Sequence, residues 1–489
     1  MEGRKTGSSK LHRTMSHIYL SAAHKSSGKT SVAVGLLAAL AERGLTVQPF
    51  KKGPDYIDPM WLRRAAGRDC FNLDFNTQGK DEIVKQFTRH TSSANIALIE
   101  GNKGLYDGLD PGGRDCNAAL AKLLRTPVIL VLDAEGVTRG LVPLVLGYQA
   151  FDTDVHIQGV ILNKVASARH EDKLRTSLER YTDVSILGAV GRDEALIVTE
   201  RHLGLTTPCE VSQSRSKIKR LKHAVTEGVD LDRVVEISGS VSSPEKMRSL
   251  NTRPGNENVR VGVARDAAFC FYYSDDLEAL ERAGAELVFF NTLNDSRLPE
   301  VDGLLIGGGF PETHMAMLEA NSGMKREIRD AVEGGLPTYA ECGGMMYLCR
   351  SITWRGEHRN MVGAIPFDAM MHSKPQGRGL VRLEETGACP WHLSTRTGEA
   401  AQISAHEFHY ASLENGPPDA RYAYRVLRGQ GIDGQNDGIV IGNLTASFCH
   451  LRDTKLNSWA ERFVAFVRSC RNNRQVSGSR SCDRVQGVV

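Results

Sequence analysis

A strand-like run, a Gly-Lys-Thr turn and a helical pattern follow one another between residues 17 and 44, and nothing else in the 489-residue chain restricts its fold as strongly. The run HIYLSAA (17–23) leads through HKSSGKT into GKTSVAVGLLAALAERG, a helical pattern that starts in the Gly-Lys turn and stops at Gly44. Further short apolar runs follow: LTVQPF, IALIEG, PVILVLDA, IQGVILNKV and VSILGAV. Runs of four to eight apolar residues separated by helices suit strands covered on both faces, so the first half predicts a parallel α/β domain. A turn at this place aims backbone N–H groups and a helix N-terminus at phosphates. Ser27 and Gly28 line it, with Gly28 permitting close approach, Lys29 reaching the terminal phosphates and the Thr30 hydroxyl ligating Mg²⁺. Ala23 stands where that motif's first glycine would be, so the loop is a variant.

Acids gather at the expected C-terminal ends of the next strands. FKKGPDYIDPMW supplies Asp55 and Asp58, and LIEGNKGLYDG supplies Glu100 and Asp107. That edge is where open α/β sheets bind ligands. Carboxylates there hold Mg²⁺ directly or through water, because the ion prefers oxygen ligands and keeps several waters. A single Asp in such a segment more commonly caps a turn, but four beside Gly-Lys-Thr favour a nucleotide site. ILNKVA resembles the base-reading pattern of GTPases but has Ala166 where an Asp belongs, which argues against guanine and leaves Asn163 as a base contact.

The stretch 238–258 is poor in apolar residues and reads as a linker. A second α/β series follows it: VRVGVA, AELVFF, DGLLIGGG and LPTYA. The predicted organisation is a disordered extension (1–16), a first domain (17–237), the linker (238–258), a second domain (259–469) and a disordered tail (470–489). In the second domain YAECGGMMYL sets Cys342 at a strand-to-helix turn, where a nucleophile is exposed and backbone N–H groups favour a thiolate. The N–H of Gly343, with one from the 307–309 loop and Gly309 foremost, would hold an oxyanion. His406, His409 and His450 are candidate bases. A packed, inert core cysteine is the competing reading of Cys342.

Several of these motifs together, FKKGPDYIDP, EGNKGLYDG, GVILNKVASARHEDKLR, ERHLGL, YAECGGMMYL and HEFHY, closely resemble the cobyrinic acid a,c-diamide synthase family over about residues 17–465. The resemblance implies a P-loop amidoligase domain similar to dethiobiotin synthetase, joined to a class I glutamine amidotransferase domain. It implies ATP, Mg²⁺ and L-glutamine, and a tetrapyrrole carboxylate as substrate: the a- and c-acetates of a corrinoid precursor, or sirohaem in a related branch. By the same resemblance Cys342 is the glutaminase nucleophile and His450 its base, Lys29 and Thr30 lie in the nucleotide loop, and the acids belong to the synthetase site, with Asp55 and Glu100 expected, like Thr30, at the metal and Asp58 and Asp107 at the substrate or in phosphoryl transfer. Ala22, Ala23 and Ser26 depart from the family loop. Arg452 occupies the place, two residues after the histidine, where many class I amidotransferases carry an acid; the corrinoid branch often lacks that acid too, which leaves a backbone carbonyl as the expected orienting group. Two other classes compete: a P-loop switch protein with an inactive amidase domain, and a simple cysteine hydrolase. A net charge of +3 gives no reason to expect nucleic acid, and no apolar run approaches the roughly 20 residues of a membrane span. A cytoplasmic protein is expected, with a homodimer as one assembly. Ten scattered cysteines without C-x-x-C pairs argue against a zinc site or a disulfide framework.

Overall fold

The computed structural model describes residues 16–196, 207, 214–239, 258–393 and 400–482. The chain divides into two compact units, one comprising the chain up to Leu73 and from Ile83 to Ser249, the other comprising Asp74–Glu82 and the chain from Leu250 onward. The expected first domain, 17–237, is therefore interrupted. Asp74 turns the chain by accepting from Asn76 N at 3.1 Å and Thr77 Oγ1 at 3.1 Å. Beyond it, Asn76 Nδ2 donates to Ala405 O at 3.0 Å and Glu82 Oε1 accepts from Lys455 N at 2.9 Å, which ties the segment into the second unit.

In the first unit seven strands pair in parallel, in the order Phe71–Leu73, Val47–Lys52, Ile96–Glu100, Ser16–Ala22, Val128–Asp133, Ile157–Val165 and Ser185–Gly191. The central strands are buried along nearly their whole length, as apolar runs without alternation require. Up to residue 100 the chain adds strands on one side of Ser16–Ala22, and from 128 onward on the other, so this strand is where the order reverses. Helix Lys29–Glu42 leaves its end and buries Val32, Leu36, Leu37 and Leu40, each contributing on the order of 1.5–3 kcal/mol. It ends in a Schellman pair, Gly44 N to Ala41 O at 3.0 Å and Leu45 N to Leu40 O at 3.2 Å.

The second unit is built on a nine-stranded sheet in the order Ala285–Phe290, Val259–Ala264, Gly303–Ile306, Thr338–Glu341, Leu444–Ser447, Asn436–Ile441, Tyr422–Arg428, Gly377–Glu385 and Gln402–His409. The first five pair in parallel and the remainder antiparallel. Cys349–Trp354, Glu357–Asn360, Ile365–Met371 and Ala411–Glu414 form a separate four-stranded sheet.

The outer boundaries move as well. Strand Ser16–Ala22 starts one residue inside the expected extension, whose residues 1–15 lie outside the described residues. Helix Leu231–Ser238 runs into the expected linker, of which 240–257 lie outside the described residues. The helix Trp459–Cys482 continues past 470, because Trp459, Ala460, Phe463, Val464 and Val467 anchor it in the core and the helical backbone propagates from them. Only 483–489 of the expected tail lie outside the described residues. Among the described residues no helix is long and apolar enough to cross a membrane.

Candidate active sites

The phosphate-type loop sits at the C-terminal end of the strand where the order reverses. Gly28 adopts φ 81° and caps helix Lys29–Glu42, and a Cβ built on it would lie 2.1 Å from Asn163 Nδ2. Only glycine fits there. Asn163 donates that amide to Ser27 O at 2.8 Å, and Ser27 Oγ donates to His24 O at 2.8 Å, so the expected base contact is engaged with the loop backbone. Ser26 has φ 65°, a left-handed conformation that glycine adopts without strain.

Behind the loop the expected acids converge. Thr30 Oγ1 donates to Glu100 Oε1 at 2.6 Å and lies 3.3 Å from Asp58 Oδ2. Asp55 Oδ1 accepts from Ile57 N at 2.9 Å and Asp58 N at 3.1 Å, and so caps the helix Ile57–Ala66 that carries Asp58. Asn72 holds this turn through Gly53 O and Asp55 O at 2.9 and 2.7 Å. Asp107 accepts from Gly104 N at 3.0 Å, in the loop whose Lys103 carbonyl receives Lys29 Nζ at 2.6 Å.

The sequence reading missed Lys51. Its ammonium lies 2.5 Å from Asp58, 3.2 Å from Glu100 and 3.9 Å from Asp55, buried among three carboxylates. Burial opposes its charge, but Asp58, Glu100 and Asp55 overcome this and raise its pKa. Burial, and then the nearby Lys51 charge, lowers Lys29 to about 8. Asp55 is pushed up to about 7 by burial and by Asp58, and burial raises Glu100. The one available signal was the repeated lysine of FKKG at a strand end, beside acids already singled out.

A divalent cation fits this donor set. Glu100 is fully buried, and its Oε2 has no hydrogen-bond partner. An oxygen that remains unsatisfied among hydroxyl and carboxylate groups matches what Mg²⁺ requires.

In the second unit Cys342 follows strand Thr338–Glu341 with φ 46° and ψ −103°, a strained turn of the nucleophile-elbow kind, held by Cys342 N to Ser447 O at 2.7 Å. A Cβ on Gly343 would lie 3.0 Å from Gly309 N, so the two expected oxyanion residues abut. Gly307 N–H is engaged by Tyr272 Oη at 2.8 Å, which removes it from the 307–309 candidates.

His450 is buried, and the Cys342 side chain acts on its charge. Its Nδ1 lies 3.0 Å from Glu341 Oε2, so the expected backbone carbonyl is replaced by a carboxylate one residue before the nucleophile. Adjacent strand residues point to opposite faces, which hid this pairing from a reading based on spacing. Burial alone would strip the ring's proton, but Cys342 and Glu341 outweigh it and hold the pKa up to about 10. His406 stacks on His450, with ring centroids 5.0 Å apart. Burial, then His450 and Arg452, lower its pKa well below 6.5 and keep it neutral. His409 lies against Phe448 instead, with Nδ1 2.8 Å from Ala411 O. Arg452 turns to Asp275 at 2.6 Å and covers the Tyr273 ring at 4.7 Å.

A loop built for phosphates in one unit and a thiol–imidazole–carboxylate array in the other define a glutamine-dependent amide-forming ligase with its own nucleotide-binding domain. Comparisons agree. A family described as the CobQ/CobB/MinD/ParA nucleotide binding domain matches residues 22–204, and one described as the CobB/CobQ-like glutamine amidotransferase domain matches residues 260–455. Three proteins named cobyrinate a,c-diamide synthase are similar along nearly their whole length. That of Magnetococcus marinus is 44% identical over 92% of this chain and 97% of its own. Those of Methanosarcina acetivorans and Archaeoglobus fulgidus are 38% and 39% identical, over 91% and 89% of this chain and 94% of each of theirs. The chain belongs to the cobyrinate a,c-diamide synthase family.

Proposed function

We propose that this protein catalyses the ATP- and glutamine-dependent amidation of the a- and c-acetate carboxylates of a corrinoid precursor in cobalamin biosynthesis. The observation that carries the reading is the presence, in one chain, of the acid-lined phosphate loop and the Cys342–His450 pair. A carboxylate is a poor electrophile at neutral pH and must be activated. Transfer of the terminal phosphoryl group of ATP to it makes an acyl phosphate, and ammonia then displaces phosphate to leave the amide. Lys29 and the loop N–H groups from Ser27 to Thr30 bind the phosphates, and Lys51 and Asp58 line the reacting end. Asp107 fixes the Gly104 turn beside Lys29. Thr30, Asp55 and Glu100 would hold Mg²⁺, which supplies charge neutralisation when bound.

Ammonia comes from glutamine. Cys342 Sγ attacks the carboxamide carbon, forming the S–C bond. His450 passes its proton to the departing nitrogen as the C–N bond breaks. Water then cleaves the thioester to glutamate and restores the thiol. The Gly343 and Gly309 N–H groups receive the developing oxyanion. ATP and glutamine are both supplied in the cytoplasm, which is where the activity belongs.

The test is mass spectrometry of the products formed by purified enzyme with ATP, glutamine and either cobyrinate, hydrogenobyrinate or sirohaem. Two added amides on a corrinoid are expected. Amidation of sirohaem alone would move the enzyme to the sirohaem branch. ATP hydrolysis without glutaminase, or glutaminase indifferent to ATP and ring, would favour the switch protein or the hydrolase.

A further inference from the structure

We infer that Glu341 is the positioning acid of the glutaminase, supplied from the residue before the nucleophile because the place two residues after the base is taken by Arg452. The geometry is closed on every side. Glu341 Oε2 faces His450 Nδ1 at 3.0 Å, while Oε1 accepts from Leu451 N at 3.0 Å and from Tyr339 Oη at 2.6 Å. Three donors fix the carboxylate, so it holds the Nδ1 edge of the imidazole and stabilises the imidazolium. The group that orients the base is thus covalently adjacent to the group the base serves. Strand Thr338–Glu341 pairs with Leu444–Ser447, the strand that leads to His450, with Glu341 opposite Ser447. All three members of the array therefore hang from two neighbouring strands.

Arg452 is committed elsewhere. It bonds Asp275 Oδ2 through Nη2 at 2.6 Å and Nε at 3.2 Å, with its guanidinium over Tyr273. Tyr273 Oη lies 3.4 Å from His406 Nδ1, and His406 stacks on His450. A cation at the customary acid position thus borders the base through a neutral histidine rather than by direct contact. The titratable groups facing His450 are Cys342, Glu341 and His406, with Arg452 acting on His406 from beyond it.

The inference rests on the glutaminase reading, and the experiment separates the two. Glutamine hydrolysis by the full-length enzyme is measured with ring and ATP present. A wild type that hydrolyses no glutamine refutes the glutaminase reading itself. Given an active wild type, Glu341→Gln is expected to lower kcat by about 10²–10⁴, with KM for glutamine within about 3-fold. The alkaline limb of its pH profile should move to lower pH, because the imidazolium loses its counter-charge. Ammonia-supported amidation should be unchanged. Glu341→Asp should recover part of kcat, and Tyr339→Phe, which removes one donor to the carboxylate, should shift kcat and the limb in the same direction by less. Wild-type kcat with an unmoved limb in Glu341→Gln overturns the assignment, as does equal loss of ammonia-supported amidation in both Glu341→Gln and Tyr339→Phe.

Discussion

At the scale of single residues the proposed chemistry rests on a thiol, a ring and two unexpected neighbours. Cys342→Ser should abolish glutamine-dependent amidation and leave ammonia-dependent amidation, since a hydroxyl is a far weaker nucleophile near pH 7. Product assays with each nitrogen source check this. His450→Ala should behave the same way, whereas His409→Ala should retain glutaminase, because the His409 ring packs on Phe448. The folded pKa of His450 stands at about 10, above the unfolded 6.5. Its proton therefore stabilises the fold in full below 6.5, and that contribution is lost as pH rises from there towards 10. Chemical denaturation between pH 6.5 and 9.5 should show stability falling, and falling less in Glu341→Gln. Arg452→Glu would set a new carboxylate against buried Asp275 and should cost about 3–5 kcal/mol, read as a lowered denaturation midpoint. The strand-to-helix turn at Cys342 and, through the family resemblance alone, the choice of His450 over His406 and His409 were legible in the sequence. Glu341 and Lys51 were not, because what qualifies them is a partner 109 residues away for the one and three converging carboxylates for the other.

Among the elements, the turn from strand Ser16–Ala22 into helix Lys29–Glu42 is the one we propose for the nucleotide, and its tolerance for change is narrow. Gly28→Ala meets both a left-handed φ and the Asn163 amide, so it should cut ATP-dependent turnover by about 10² or more while basal glutaminase survives. Lys29→Ala and Glu100→Gln should do the same with either nitrogen source. Near-normal ammonia-dependent turnover in these variants would mean the nucleotide binds elsewhere. Ser26→Gly, by contrast, suits φ 65° and should leave turnover intact. The parallel strands were readable from their unbroken apolar runs. The antiparallel half of the second sheet was not: Gly377–Glu385 mixes exposed Arg378, Arg382 and other half-covered positions with buried ones. A strand wet on one face carries a weaker apolar signal than one covered on both. The strain at Cys342 also had no sequence signal beyond its flanking glycines.

On the scale of the whole molecule, the two-domain reading holds, but the division between domains is not a single cut. Asp74–Glu82 belongs to the second unit although both flanks belong to the first. Full-length protein given a protease site between 240 and 257 and cleaved there should therefore elute as one particle on gel filtration. Separation into two fragments would show that Asp74–Glu82 does not bind its unit. Sequence reading placed the boundary at the polar linker, since composition reports where chain is unsupported and not where it is borrowed. The borrowed segment also imposes a schedule on synthesis. Glu82 leaves the ribosome early, and its partner Lys455 lies 373 residues further on. At about 5–20 residues per second, the wait is roughly 20–75 s. Throughout that interval the nascent first unit must carry nine residues whose place is not yet made, so its closure is timed by translation of the C-terminal half.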